Sequence, residues 1–119
     1  MIQKGTYLIP MDKNGVWRVM VFHIYGGFKK KYGITGNFLK ISVKKIKNSK
    51  WLTKKSKLKT ILILTKSTIK KKDNSHIKFK LNSCILLKKR LSSVGQILIG
   101  PSNINIKRKR FVYSFSGTI

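Results

Sequence analysis

The chain has 119 residues and sets 28 Lys and Arg against two acids, Asp12 and Asp73, for a formal net charge of +26 at pH 7. That length suits one domain. With folded and unfolded states treated as screened charged spheres, self-repulsion disfavours the compact one by about 20 kcal/mol. This exceeds the roughly 5 to 15 kcal/mol by which domains are normally stable, so a polyanion partner is expected to complete the fold.

Nucleic acid is the partner that fits best, because a phosphate backbone rewards many distributed cations through counterion release and needs no single focused site. A membrane-spanning helix is not available. The longest aliphatic run, Ile61-Leu62-Ile63-Leu64, falls far short of the roughly 20 residues required. The start Met1-Ile2-Gln3-Lys4-Gly5 carries no signal-peptide pattern.

Along the chain the hydrophobic period is mostly two, which predicts short strands punctuated by turns. The first clear strand runs from Val16 to Tyr25, after the turn Lys13-Asn14-Gly15 and before Gly26-Gly27. Strict alternation puts Val16, Met20, Phe22 and Ile24 on one face with Arg18, and Trp17, Val19, Val21, His23 and Tyr25 on the other. Both faces are largely apolar, as in a central strand, and Trp17 is expected in the core. Phe28 and Tyr32 fall in a glycine-bounded loop, where core packing and stacking on unpaired bases are both open.

Strands are next expected at Lys40 to Ile46 and Thr60 to Thr65, with the basic stretch Lys47 to Lys59 between them as an exposed loop. Ser67 to Lys72 and Ser75 to Lys80 flank Asp73-Asn74, a hairpin signal. Further strands are expected at Ser83 to Leu87 and Gln96 to Ile99, the latter ending at Gly100-Pro101. Many short strands with little helix predict a small β-barrel. No repeat, linker or shift of composition divides the chain, so residues 1–119 read as one domain.

Basic residues gather at Lys29-Lys30-Lys31, Lys44-Lys45-Lys47, Lys54-Lys55-Lys57-Lys59, Lys70-Lys71-Lys72, Lys88-Lys89-Arg90 and Lys107-Arg108-Lys109-Arg110. One such run is usually a solvated loop. Six almost without acids are not, because ordinary soluble surfaces mix both signs. Lysine is a point charge, suited to positioning phosphates rather than reading bases.

Catalytic and metal chemistry find little to work with. General acid/base work and divalent metals want carboxylates, and both Asp12 and Asp73 sit in predicted turns, where Asp bonds its own backbone. His23 and His76 have no cysteine or carboxylate at ligand spacing, and the single cysteine, Cys84, reads as core within Ser83-Cys84-Ile85-Leu86-Leu87. No Walker-type phosphate loop is present. Neither a catalytic residue, a metal nor a cofactor is expected.

The motifs resemble large-subunit ribosomal protein fourteen, the universal L-fourteen family, over almost the whole chain. They run from Met1-Ile2-Gln3 through Asp12-Lys13-Asn14-Gly15-Val16, Arg18-Val19-Met20, Gly26-Gly27, Tyr32 and Gly36. The most specific stretch is Ile61-Leu62-Ile63, Thr65-Lys66, Asp73, Ser75, Phe79, Asn82 and Cys84-Ile85-Leu86-Leu87, followed by Gly95 and Gly100-Pro101. Thr60 stands where the family has a small Gly or Ala, Asn74 where it prefers Gly, and Asn37 and Lys80 where it has Asp. Residues 102–107 lack the family's acidic helical pattern.

The resemblance implies a mainly β fold: a five-stranded barrel over about residues 1–100, a projecting β-ribbon at Thr65 to Phe79, and a C-terminal extension with short helices over about 101–119. It implies a structural constituent of the large ribosomal subunit that binds its ribosomal RNA near the subunit interface. Implied partners are the neighbouring proteins numbered three and nineteen in bacterial terms, small-subunit RNA across an intersubunit bridge, and a ribosome-silencing factor. Charge and register together nominate Arg18, Lys29, Lys30, Lys31, Lys44, Lys45, Lys66, Lys70, Lys71, Lys72 and Lys78 as phosphate contacts. The alternative is a free-standing basic barrel binding single-stranded RNA or DNA.

Ala and Glu are absent, and Arg appears only at 18, 90, 108 and 110. That bias towards adenine- and thymine-rich codons is common in organellar genomes. A mitochondrial ribosome is the expected location, ahead of another organelle's or a bacterial one.

Overall fold

A computed structural model describes residues 2–11, 15–47, 55–88, 101–102 and 117–118. Five strands close into a barrel in the order β1 (Tyr7–Pro10), β2 (Val16–Ile24), β3 (Phe38–Ile46), β4 (Lys57–Leu64) and β7 (Ser83–Leu87). Neighbours are antiparallel except β1 and β7, which seal the barrel in parallel through Ile9↔Ser83 and Pro10↔Cys84. The expected small five-stranded barrel is the fold observed.

Strand β1 has no counterpart in the sequence reading, because four residues ending in proline give a weak strand signal. Proline lacks an N–H and is normally kept out of interior strands. Here the seam uses the amides on either side of it: Ile9 N donates to Asn82 O at 3.1 Å and Met11 N to Cys84 O at 2.9 Å. The side Pro10 leaves without a donor is the β2 side, where pairing has already ended at Tyr7↔Met20 and Leu8↔Val19.

Strand β2 does not alternate as predicted. Its register against β3 shifts between Val16 and Arg18, between Arg18 and Val19, and between Val21 and His23. With these shifts the alternation breaks at two places, Trp17-Arg18 and Phe22-His23, where two successive residues lie away from the core. Val16, Val19, Val21 and Ile24 therefore all point inward, while Trp17 is expelled to 50% exposure. Trp17 is thus not core, and β2 has one buried and one exposed face.

The interior is filled by registered apolar residues: Val19↔Val43, Val21↔Ile41 and Ile24↔Leu39 across β2 and β3, and Leu62↔Cys84 across β4 and β7. Ile2 plugs one end, exchanging two hydrogen bonds with Gly33 at 2.9 and 2.7 Å. Gly33 is tight there, since an added Cβ would lie 3.2 Å from Leu39 Cδ2. A second apolar cluster, Ile61, Ile63, Leu64, Ile85 and Leu87 with Met11, buries the other face of β4 and β7, and Phe38 and Phe79 pack against it. This explains the unbroken apolar runs of those two strands, which are buried on both faces.

Strand β4 begins at Lys57, so the last residues of the predicted loop 47–59 belong to it. The ribbon is formed by β5 (Ile69–Lys70) and β6 (His76–Ile77), a ladder of two pairs inside the longer arms predicted. At its tip Lys71 N donates to Ser75 O at 2.8 Å, and Asn74 takes a left-handed φ of 67°. The predicted strand at Gln96 to Ile99, the turn role of Asp12 and the short C-terminal helices lie outside the described residues. Within the C-terminal extension, β8 (Pro101–Ser102) pairs in parallel with β9 (Gly117–Thr118).

Candidate nucleic-acid interface

Two basic grooves and the ribbon gather all but one of the nominated residues. The first groove is lined by Gln3, Lys4, Lys29, Lys30, Lys31 and Tyr32. It lies where the chain turns between β2 and β3. Gly26 has a φ of 110° and lies so close to Lys30 that a Cβ would meet its Nζ at 3.0 Å. Lys29 itself is left-handed, with φ 55°. Buried Asn37 pins the loop from below: its Oδ1 accepts Ile34 N at 2.9 Å and Lys30 Nζ at 3.1 Å.

The second groove joins β1, β2 and β3 to the segments flanking the ribbon, and is lined by Tyr7, Leu8, Ile9, Trp17, Arg18, Lys45, Lys66, Leu81 and Asn82. The same register shifts that expel Trp17 put Arg18 opposite Lys45. The Arg18 guanidinium lies 3.9 Å above the Tyr7 ring, and Lys45 and Lys47 approach Trp17 at 5.0 and 5.6 Å. Such cation–π contacts hold long cationic side chains against the surface without neutralising them. Asn82 ties the ribbon's base to the barrel, its Oδ1 accepting Lys66 N at 2.8 Å.

Between these sites the outer face of β2, β3 and β4 carries more lysine over aromatic rings. Lys57 lies 5.9 Å from Phe22, and Lys59 lies 4.9 Å from Tyr25 and 4.6 Å from Phe38. Lys44 and Lys40 are half-buried on this face. On the ribbon, Lys70, Lys72 and Lys78 are exposed and Lys71 is half-buried.

Lys4, Lys40, Lys47, Lys57 and Lys59 belong to the same surface and were not nominated. The alternation Lys57-Leu58-Lys59 was the available signal for two of them, since Leu58 packs against the core.

Asp73 is the only acid among the described residues. Ser75 occupies it, donating its hydroxyl at 2.6 Å and its amide at 3.1 Å to Oδ1. Those bonds hold the Asp73 pKa below its ordinary value. Cys84 is buried within the barrel, and His23 and His76 are exposed.

A closed barrel with cationic grooves, aromatic rings under its lysines and scarcely any acid defines a protein that holds a polyanion along its surface. The amino-acid sequence matches the family model described as ribosomal protein L14p/L23e over residues 1–117. The chain belongs to that family of ribosomal proteins. It is also similar to the large ribosomal subunit protein uL14m of Tetrahymena pyriformis, at 52% identity over 119 residues, with 100% of each chain covered.

Proposed function

We infer that this chain is a structural constituent of the mitochondrial large ribosomal subunit, where it binds large-subunit ribosomal RNA and catalyses nothing. The observation that carries the RNA contact is the second groove, where Arg18, Lys45 and Lys66 converge beside the exposed rings of Tyr7 and Trp17. Family membership and the full-length similarity to a mitochondrial large-subunit protein supply the setting. The whole of residues 1–119 acts as one domain.

The phosphate contacts are Arg18, Lys29, Lys30, Lys31, Lys44, Lys45, Lys66, Lys70, Lys71, Lys72 and Lys78. The resemblance to the L-fourteen family extends the proposal to neighbouring proteins three and nineteen, to small-subunit RNA across an intersubunit bridge, and to a ribosome-silencing factor.

Sedimentation of mitochondrial ribosomes tests the assignment. Comigration with the large subunit after a high-salt wash is the expected result, and release in the first wash would instead favour a free-standing RNA-binding barrel. The ribbon is tested separately. Changing Lys70, Lys71 and Lys72 to Ala should flatten the dependence of log affinity on log salt by about two to three units, and an unchanged slope removes the ribbon from the footprint.

A further inference from the structure

Phe28 is the most exposed large hydrophobic side chain among the described residues, at 93%. No barrel packing accounts for it. The loop that presents it is not slack, because Gly26 and Lys29 hold left-handed conformations on either side and the Ile2–Gly33 bridge anchors its far end. The hydrogen bond from Lys30 to buried Asn37 fixes its middle. A ring held in water on a fixed turn is preorganised for a partner.

The charge around the ring selects the kind of partner. Lys29, Lys30 and Lys31 follow Phe28 directly, Lys4 shares their groove, and Lys29 Nζ lies 5.6 Å from the ring centroid. An apolar pocket on another protein would have to desolvate these ammonium groups, whereas a nucleotide offers them phosphate and offers the ring a flat base. Paired bases in an A-form helix are not accessible to such a ring, so the base must be unpaired.

We propose that residues 26–32 capture an unpaired nucleotide of ribosomal RNA, with Phe28 stacked on the base and Lys4, Lys29 and Lys31 on the flanking phosphates. Lys30, oriented by Asn37, positions the turn and adds its charge to the same groove. The proposal deepens the RNA-binding reading above and rests on it.

The test uses the full chain and two synthetic RNA duplexes, one fully paired and one with a single bulged 2-aminopurine. The expected result is about tenfold tighter binding of the bulged RNA, with its fluorescence quenched on binding. Phe28→Leu, which keeps the apolar bulk but loses the aromatic plane, should lose both the preference and the quenching while binding the paired duplex as before. Equal affinity of the unaltered chain for the two RNAs, or a Phe28→Leu variant that retains the preference, overturns the stacking role and leaves RNA binding standing. Failure to bind either RNA in a salt-dependent way overturns the RNA reading itself. If Phe28→Leu behaves normally on both RNAs but Phe28→Ala weakens retention on the large subunit, the ring seats in a protein pocket and the proposal fails. Because Phe28 is exposed, both variants should give the circular dichroism spectrum of the unaltered chain.

Discussion

Asn37 does by hydrogen bonding what an acid would do by charge. Its Oδ1 accepts the Ile34 amide and the Lys30 ammonium, so Lys30 is oriented while its charge stays available to the groove. Asn37→Asp keeps both acceptor contacts but sets a carboxylate against that ammonium. Filter binding over a salt series should then show the slope flattened by about one unit, with the thermal melt little changed. At the ribbon tip an acid does the opposite service. The Ser75 hydroxyl and amide favour the ionised Asp73 and lower its pKa. A carboxylate so held steadies the turn at and above the ordinary carboxylate range and loses that effect as pH falls through its lowered pKa. The Ser75 amide resonance should accordingly stay constant at neutral pH and move only in acid below about pH 4, and Asp73→Asn should abolish that movement. Lysine runs make the cationic residues of both sites legible in the sequence. The partner that organises Lys30 is not, since Asn37 lies seven residues away and no spacing marks it.

For the strands, what could be read depended on whether alternation survived. Strands β3 and β4 were legible in outline and β7 in full, because an apolar run or a strict period of two marks them. Strand β2 was legible as a strand but not by face, because three register shifts break its period. Strand β1 was too short to see, and its role as the seam rests on residues more than seventy positions away. The consequence for β2 can be measured. Val19→Ala removes a fully buried side chain from the barrel and should cost about 2 kcal/mol. Trp17→Ala removes a much larger but half-exposed one and should cost less than about 1 kcal/mol. Urea melts of the two variants at high salt should rank them in that order, and the reverse order would restore Trp17 to the core.

At the scale of the whole molecule the charge of +26 acts on stability as well as on affinity. Repulsion spread over one small barrel is relieved by counterions and more fully by RNA. The melting temperature of the isolated chain should therefore rise with added sodium chloride. It should rise further with a ribosomal RNA fragment, by the equivalent of about 2.7 kcal/mol when RNA is present at about a hundred times Kd. A melting temperature indifferent to both would mean that the barrel tolerates its charge unaided. The seam between β1 and β7 offers a second view of the same question. Cys84 lies in it, fully buried and paired with Pro10, and it is the chain's sole cysteine. A thiol reagent can reach that sulfur only when β7 parts from β1 or from β4, which pairs with it through Leu62. The rate of alkylation thus times the breathing of the barrel around β7, and slower labelling on the ribosome than in free solution would show assembly acting as the clasp that keeps the barrel shut.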